Sequence, residues 1–474
     1  MTERRQHYNV TLGILILAGT AYSLSSTIVV PALPTLQRDL HTTNTWATWV
    51  LTGFLLVASV ATPVLGKLGD QHGKERILVV ALAIFLAGCI GSGAAWNIWS
   101  LIAFRAVQGV AGAIFPLAFG IIRDEFPPEK VGVGIGTISA VFGVGGGGGI
   151  LLAGVIVDNL SWRWIFILSD VVIAIALVLV VRFVPESPIK TPSRVDVPGS
   201  LAFSGAMIAL LLGLTEGDTW GWASGRTLGL FVAAAALFAV WTVIELRVPE
   251  PLVDMRMFRQ RPVLVTNAAA LVAGFTMFGA FVLLPVFVQT SDARHLGYGF
   301  GASVTKTGLY LIPGSFTILF SGPLAGRIGR RTSMKWPLSV GLLIVGATCA
   351  AFALWHSHPW QIAVQQGVMG IGVGFAFAAM ATLITQAVRV SETGVATGMN
   401  TVMRTVGSVI GAQLGAALLA AYVVPSGRAP SVTAFEAMFW IAGGAAAVGA
   451  ALSIFVTPTG LRRRRRDPAL ATAE

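Results

Sequence analysis

The chain has 474 residues, of which 55% are hydrophobic and only 11% charged, whereas soluble domains carry about 25% charged residues. A soluble protein of this length could not hide so much apolar surface and stay dispersed, which excludes a soluble enzyme or binding protein. The formal net charge of +11 raises the question of a nucleic-acid partner. Membrane proteins, however, concentrate Lys and Arg in their cytoplasmic loops, which explains a positive charge without nucleic acid.

Fourteen apolar segments are each long enough to cross a membrane, because a spanning helix needs about 20 residues. In chain order they cover residues 10–31, 47–66, 77–96, 98–121, 131–157, 163–184, 197–215, 226–246, 263–289, 304–324, 337–355, 359–386, 394–423 and 433–457. The first is too long for a cleaved signal peptide and is assigned to the first transmembrane helix. The sequence thus predicts an all-α polytopic membrane protein with about 14 transmembrane helices and both termini on one side.

The positions of the 32 Lys and Arg residues indicate which side that is. With the N-terminus in the cytoplasm, 24 of them fall in cytoplasmic segments, six in outer segments and two, Arg105 and Arg404, within helices. This bias predicts a multi-pass protein of the plasma (inner) membrane with both termini cytoplasmic. The basic tail at residues 458–474 is interpreted as an anchor beside anionic lipid, so no nucleic-acid partner is predicted.

The cysteines and histidines form no pattern typical of a metal or disulfide site. Cys89 and Cys349 lie in apolar segments, where a thiol acts as a small packing side chain. The six histidines fall near segment ends or in loops, without the spacing of metal ligands. We therefore predict no metal and no organic cofactor.

Two pairs of short repeats divide the chain. GKLGDQHGKER at 66–76 corresponds to GPLAGRIGRR at 322–331, and QGVAG at 108–112 corresponds to QGVMG at 366–370. Such repeats are typical of secondary transporters built from two bundles around a central site. The predicted divisions are an N-terminal six-helix bundle at 1–184, two inserted helices with linkers at 185–261, a C-terminal six-helix bundle at 262–457 and the tail at 458–474.

These motifs resemble the major facilitator superfamily, specifically its fourteen-helix drug:proton antiporter branch, over nearly the whole chain. LIAFRAVQGVAGA resembles the family's fourth-helix motif and contains Arg105, Gln108 and Gly109. DNLSWRWIF at 158–166 and TEGDTWGW at 215–222 resemble stretches typical of the branch. The loop at 66–76 is similar to the superfamily's loop motif, and its residues of interest are Gly66, Leu68, Asp70, Gly73, Lys74 and Arg76.

Several positions depart from the family's pattern. Gln71 and Glu75 replace basic residues of the loop motif, and Gly326 stands in the second loop copy where the first has Asp70. LSSTIVVPALP at 24–34 resembles a first-helix motif that usually carries an Asp and an Asn, but Ser25 and Val30 occupy those places. An acidic residue that the branch often has in its first helix is therefore missing.

The resemblance implies a secondary active transporter that exports hydrophobic or cationic small molecules, such as drugs and antibiotics, in exchange for protons by alternating access. Its implied partners are the substrate, protons and the lipid bilayer, and it is expected to be a monomer and not an enzyme. Two alternatives stay open: an exporter of this fold dedicated to one native metabolite or lipid, and a membrane enzyme or sensor. The second is disfavoured because H-E-x-x-H, G-x-S-x-G and G-x-x-x-x-G-K-[ST] motifs are absent.

Ionisable residues placed in hydrocarbon are the candidates for substrate binding and proton coupling, because each is costly to bury there. Arg105 either faces the cavity as a charge partner for substrate or protons, or hydrogen-bonds neighbouring helices and locks the bundle. Asp170 follows an aromatic belt in the sixth segment, which suits a group that binds and releases a proton. Alternatively it pairs with a nearby Arg or is reached by outer water. Glu436, near the outer start of the last segment, is the second carboxylate candidate.

Polar residues recur at steps of three or four in the thirteenth segment, which places them on one helix face. They are Thr397, Asn400, Thr401, Arg404, Thr405 and Ser408. That face is expected to look into the cavity or onto the facing helix, since lipid cannot solvate it. Met207, Phe275, Met277, Phe278, Phe281 and Phe439 are weaker candidates for a drug pocket and otherwise core or lipid-facing. Asp70 is interpreted as a conformational latch between the bundles, with a solvated loop carboxylate as the alternative.

Five consecutive glycines at 145–149 lie inside the fifth segment. A dinucleotide-binding turn is excluded because no βαβ unit surrounds them, and a linker is excluded because irregular backbone is not tolerated facing lipid. Gly145 and Gly149 have the G-x-x-x-G spacing that lets another helix approach closely. With Gly154 they resemble an antiporter motif of the family, in which Ile150 replaces a Pro and Ala153 a Gly.

Overall fold

The structure is a computed structural model that describes residues 8–42, 44–143, 145, 148–186, 196–291, 296–423 and 430–456. Apart from one isolated bridge between Val423 and Pro430, regular structure in these ranges is helical. The predicted tail at 458–474 lies outside the described residues.

Helices of the first part of the chain account for the first six predicted segments. They are α1 (Tyr8–Thr27), α2 (Leu33–Asp39), α3 (Asn44–His72), α4 (Lys74–Gly93), α5 (Ile98–Gln108), α6 (Ile114–Glu125), α7 (Pro128–Gly143), α8 (Gly149–Asn159) and α9 (Arg163–Phe183). A 3₁₀ turn at Gly109–Ala113 joins α5 to α6, so that Ile98–Glu125 forms one span.

Helices of the remaining chain follow the other eight predicted segments. They are α10 (Val197–Trp220), α11 (Gly225–Arg247), α12 (Met255–Phe258), α13 (Arg261–Gln289), α14 (Val304–Arg331), α15 (Lys335–Leu354), α16 (Pro359–Ala387), α17 (Thr393–Ala421) and α18 (Val432–Ile454).

Thirteen helices within the described residues are long and apolar enough to cross a membrane, which confirms the predicted all-α, multi-span fold. The predicted segment at 131–157 is divided into α7 and α8, each too short to be counted among them. The division falls in the glycine run, where Gly145 and Gly148 are wound as π-helix and residues 144, 146 and 147 lie outside the described residues. Glycine favours this departure because it stabilises a regular α-helix less than other residues do.

Local chemistry sets several helix ends. Asn97 and Ser100 form a capping box at the start of α5, in which each side chain accepts a hydrogen bond from the other residue's backbone N–H. The carboxylate of Asp196 caps α10 by accepting from Gly199 N–H at 2.8 Å. Gly73 separates α3 from α4 with a φ of 115°, a conformation that side-chain-bearing residues rarely adopt.

The two halves of the chain pack by the same plan. In the first, α1 packs on α7 and α9, α3 on α5, and α4 on α5 and α9. In the second, α13 packs on α17 and α18, α14 on α16, and α15 on α16 and α18. These contacts join equivalent helices of the two sets, and each set has its own apolar core.

The two sets meet along two crossed pairs of helices, α3 with α17 and α7 with α14. α10 and α11 pack on each other as a hairpin, and α10 also contacts α3 and α17. Phe203 and Trp241 of the hairpin share an apolar cluster with Val395 and Met399 of α17. The inserted helices therefore lie against one of the two seams.

Candidate functional site

Arg105 is a fully buried cation on α5 that joins three helices. Its Nη1 donates to Gln108 Oε1 at 2.6 Å and, more weakly, to the carbonyl and hydroxyl oxygens of Ser25 at 3.3 and 3.4 Å. Its Nε donates to the Val50 carbonyl at 3.2 Å, and its guanidinium lies 4.3 Å from the ring centre of Phe54. These contacts tie α5 to α1 and α3, as the bundle-locking alternative requires.

Gln108 extends this cluster to α4. Its Nε2 donates to Ser92 Oγ at 2.6 Å and to the Gly88 carbonyl at 3.1 Å, while its Oε1 accepts from Arg105 and from Ser25 Oγ. Ser25, which stands where the family often has an acid, thus places a hydroxyl and not a carboxylate beside Arg105. The Nη2 of Arg105 is buried and has no hydrogen-bond partner within the described residues.

The polar face of α17 is divided between two surroundings. Asn400 is buried against α13, where its Nδ2 donates to Asn267 Oδ1 at 2.9 Å and to the Thr266 carbonyl at 3.3 Å. Arg404 is half-buried, and its guanidinium lies 4.6 Å from the ring centre of Phe377. Asn400 therefore belongs to the interface with α13, whereas Arg404 contacts α16 through Phe377.

The two candidate carboxylates lie away from the seams. Asp170 is half-buried on α9, which packs chiefly on α4 and α1, and its charge acts on Cys89 of α4. Its Oδ1 is buried without a hydrogen-bond partner within the described residues, so the predicted salt bridge is not found there. Glu436 is half-buried near the start of α18.

Asp70 is 1% exposed and lies across the seam between α3 and α17. Its carboxylate accepts from Gly394 N–H at 2.9 Å and from Val395 N–H at 3.2 Å, at the N-terminal end of α17. Lys74, also buried, lies 3.5 Å from Asp70 and 2.6 Å from Asp124 of α6. The solvated-loop alternative for Asp70 is therefore wrong.

The glycines of the loop motif permit this approach. A β-carbon at Gly66 would meet the backbone of Gly394 across the seam, within 2.7 Å of its carbonyl carbon. Arg76 of the same loop motif, in contrast, is 65% exposed and pairs with Glu186 at 2.8 Å, away from Asp70.

Arg123, at the end of α6, is a second polar bridge that sequence reasoning missed. It donates to Thr393 Oγ1 at 2.6 Å, to the Val388 carbonyl at 2.9 Å and to the Arg389 carbonyl at 3.3 Å. The sequence signal was its position beside Asp124, at the end of the second predicted segment after the loop motif. We call Asp70, Lys74, Asp124 and Arg123, together with the residues at the start of α17 that they contact, the basic-end gate. The end of the molecule that contains the gate is called the basic end.

The glycines of the fifth segment face two different helices. A β-carbon at Gly145 would collide with Ser23, and one at Gly149 with Thr27 Oγ1, both on α1. Thr27 Oγ1 also donates to the Gly145 carbonyl at 2.5 Å. Gly154 lies against Thr305 at the start of α14, with its β-carbon position 3.3 Å from the hydroxyl oxygen. These positions leave little room for any side chain.

A small, mainly apolar cavity of about 60 Å³ lies between α7 and the second helix set. Met277 lines it, with Ser315 and Gln366 as its polar groups. Met207 and Phe439, two other pocket candidates, are buried in apolar cores, and the Phe281 side chain lies outside the described residues. Within the described part of the chain, no group of His, Cys, Asp and Glu side chains is placed to hold a metal.

Comparison with known proteins gives a family match over most of the chain. The profile of the Major Facilitator Superfamily matches residues 15–305 and 291–472. The tetracenomycin C resistance and export protein of Streptomyces glaucescens is 30% identical over 366 residues, which are 77% of this chain and 64% of that protein. Multidrug resistance protein 3 of Bacillus subtilis (strain 168) is 30% identical over 370 residues, covering 77% and 70%. The chain thus spans less than two thirds of the Streptomyces protein.

A solved structure supports the fold. The human organic anion transporter MFSD10 (TETRAN) matches with a TM-score of 0.66 over 94% of this chain and all of that one. At 12% identity this similarity concerns the fold alone.

Proposed function

Because the chain belongs to the major facilitator superfamily and is a transporter rather than an enzyme, we propose that it exports hydrophobic small molecules in exchange for protons. The observation that carries the proposal is the basic-end gate, a set of directional polar contacts that closes one end of the seam between two matched helix sets. Opening these contacts while the opposite end closes is alternating access. The divisions at 1–184, 185–261 and 262–457 supply the two bundles and the insert of this mechanism.

We place the basic end in the cytoplasm, with both termini on that side and the protein acting as a monomer. The excess of Lys and Arg in the segments at this end supports that orientation. Inward movement of protons would then supply about 2.3 kcal/mol per charge for each 100 mV of membrane potential. Asp170 is the proposed proton carrier and Glu436 the second candidate, because the first helix offers Ser25 in place of an acid.

Interior charge supports neutral or anionic substrates over the cationic ones implied by the resemblance. Arg105 and Arg404 belong to different helix sets, and the charges of both act on Tyr22 of α1. The helices α1, α13, α14, α16 and α17 contain no Asp or Glu. A cation entering between these helices would meet like charges without a carboxylate on any of the five.

The test uses purified protein in liposomes that contain a pH-sensitive dye. Addition of a hydrophobic drug should produce proton flux, and Asp170→Asn should abolish it while Glu436→Gln retains part of it. No drug-dependent flux in the wild type would contradict the proposal, and normal flux in Asp170→Asn would remove Asp170 from the mechanism.

A hydrophobic anion should drive more flux than a cation of similar size; the reverse order would contradict the assigned charge preference.

An exporter dedicated to one native metabolite is the second candidate, favoured by the relative named for tetracenomycin C export. Flux with one metabolite and none across a panel of unrelated drugs would favour it over multidrug export.

A further inference from the structure

Two buried carboxylates meet at the base of the inserted hairpin, outside the central cluster and the gate. Asp196 precedes α10 and is 7% exposed, and Glu245, near the end of α11, is 3% exposed. Glu245 Oε1 accepts from Trp241 Nε1 at 2.6 Å, and its Oε2 accepts from Val253 N–H at 3.0 Å. Both of its oxygens are therefore held in place.

Asp196 directs its second oxygen toward Glu245. Its Oδ1 is used in the cap on Gly199 N–H, whereas Oδ2 is buried without a hydrogen-bond partner within the described residues. A β-carbon at Gly199 would collide with Asp196 Oδ2 and lie 3.0 Å from Glu245 Oε1, so both oxygens border the same point.

Little in the surroundings compensates a double negative charge. Phe203, Trp241, Leu252, Val253 and Met257 form the apolar cluster around the pair. Lys67 of α3 is the nearby cation, and it forms no ion pair with Glu245 among the described residues. The other charged groups facing this region are Asp70 of α3, Glu250 and Asp254 of the following segment, and Arg389 and Glu392 before α17.

Adjacent carboxyl groups removed from water cannot both stay ionised, because the second charge is opposed by the first and by the lost hydration. A proton held between the two carboxyl groups would supply a hydrogen bond to Asp196 Oδ2, which has no partner among the described residues. We propose that Asp196 and Glu245 form a proton-binding site of the inserted hairpin, whose occupancy holds the hairpin base against the basic-end gate.

The connection to the gate is physical. Val253, which donates to Glu245, lies in the segment 248–254 between α11 and α12. Pro249 and Leu252 of this segment border a cavity of about 300 Å³ whose other walls include Asp70 and Val395 of the gate. Loss of the shared proton places two negative charges side by side and pushes this segment away from the gate.

The sign of the pH dependence follows. The hairpin base binds the shared proton more tightly when it is packed against the gate than when it has moved away. Packing is therefore favoured as the pH falls and weakened as the pH rises. The inference rests on the proposed function only in assigning the basic end to the cytoplasm, which makes this site a sensor of cytoplasmic pH. The proton site of the hairpin controls opening of the gate, whereas the proposed function is the exchange of substrate for protons.

Hydrogen–deuterium exchange on the full-length protein tests the site without substrate or transport. In the wild type, protection of the amides at 248–254, corrected for intrinsic exchange, should fall as the pH rises. The total fall should be about tenfold for each pKa unit by which the packed form binds the proton more tightly than the released form. In Asp196→Asn the amide keeps the cap and donates to Glu245, so protection should be high and independent of pH. Asp254→Asn, a carboxylate change in the same loop, should keep the wild-type dependence.

Equal pH profiles in the wild type and Asp196→Asn would overturn the inference. If Asp196→Asn does not fold, the infrared band of a protonated carboxyl in the wild type takes its place: it should be reduced in Glu245→Gln, and an unchanged band would equally overturn the site. Absence of drug-dependent flux in wild-type liposomes would contradict the proposed function and leave this result standing.

Discussion

The Arg105 cluster and the basic-end gate both bury charge, but they join different parts of the molecule. Among the described residues, the polar contacts of Arg105 are with α1, α3 and α5 of the first helix set. Asp70 and Arg123 reach across the seam to the backbone around the start of α17. Polar contacts inside one set can persist while the sets move against each other, whereas those across the seam must break. The comparison assigns a positioning role to the first region and a switching role to the second.

Asp70→Asn should give the largest effect on this comparison. The variant leaves Lys74 with Asp124 alone and weakens the acceptor at the start of α17, and disruption of a buried ion pair costs about 3–5 kcal/mol. Since that loss falls on the closed gate, we expect drug export by cells to decrease by at least tenfold with normal membrane insertion. Arg76→Gln is the matched control in the same loop and should retain export, because Arg76 is 65% exposed and an ion pair of an exposed side chain contributes little. Similar losses of export in both variants would show that the gate is not required for transport.

Gly149→Leu should block transport next most severely. The side chain would have to displace Thr27 of α1, so the helices would be wedged apart at the glycine run. Gly229→Leu on α11 is the control, since no atom lies within 4 Å of its β-carbon position. We expect near-normal flux for the control and loss for Gly149→Leu in liposomes; equal activity would show that close packing at 149 is not required.

Arg105→Lys should have the smallest effect of the three on export, and its effect should be chiefly on stability. An ammonium cannot reproduce the fork that contacts Val50, Ser25 and Gln108 together. We expect the thermal unfolding midpoint in detergent to fall, as for a loss of about 1–3 kcal/mol, with the spacing across the gate unchanged. An Arg105→Lys protein of wild-type stability that leaves the gate open would reverse the roles assigned to the two regions.

The fold and part of the candidate site follow from the sequence because membrane burial acts on local patterns. Apolar length predicted the spans, and the pattern around Arg105 predicted a buried cation. The partners were not predictable: nothing local to Asp70 shows that Gly394 and Val395, over 300 residues later, supply the donors. Arg123 was missed for the same reason, since its acceptors are mostly backbone carbonyls that carry no residue signature.

Sequence patterns were less informative where residues of one pattern contact different parts of the molecule. The α17 face is periodic, yet Asn400 contacts α13 while Arg404 contacts α16, because a helix face about 100° wide can touch both. Arg76 belongs to the same short motif as Asp70, but α4 turns it outward to Glu186. Spacing along the chain thus predicts a shared neighbourhood better than a shared partner.

The central claim, that the basic-end gate opens during transport, is tested most directly by a distance across it. Spin labels at Arg76→Cys and Arg331→Cys, both exposed at the basic end on different helix sets, report the separation by double electron–electron resonance after Cys89 and Cys349 are replaced. We predict a second, longer distance that grows when drug is added and dominates in Asp70→Asn. One unchanging distance in the wild type, with drug and in Asp70→Asn would contradict the account.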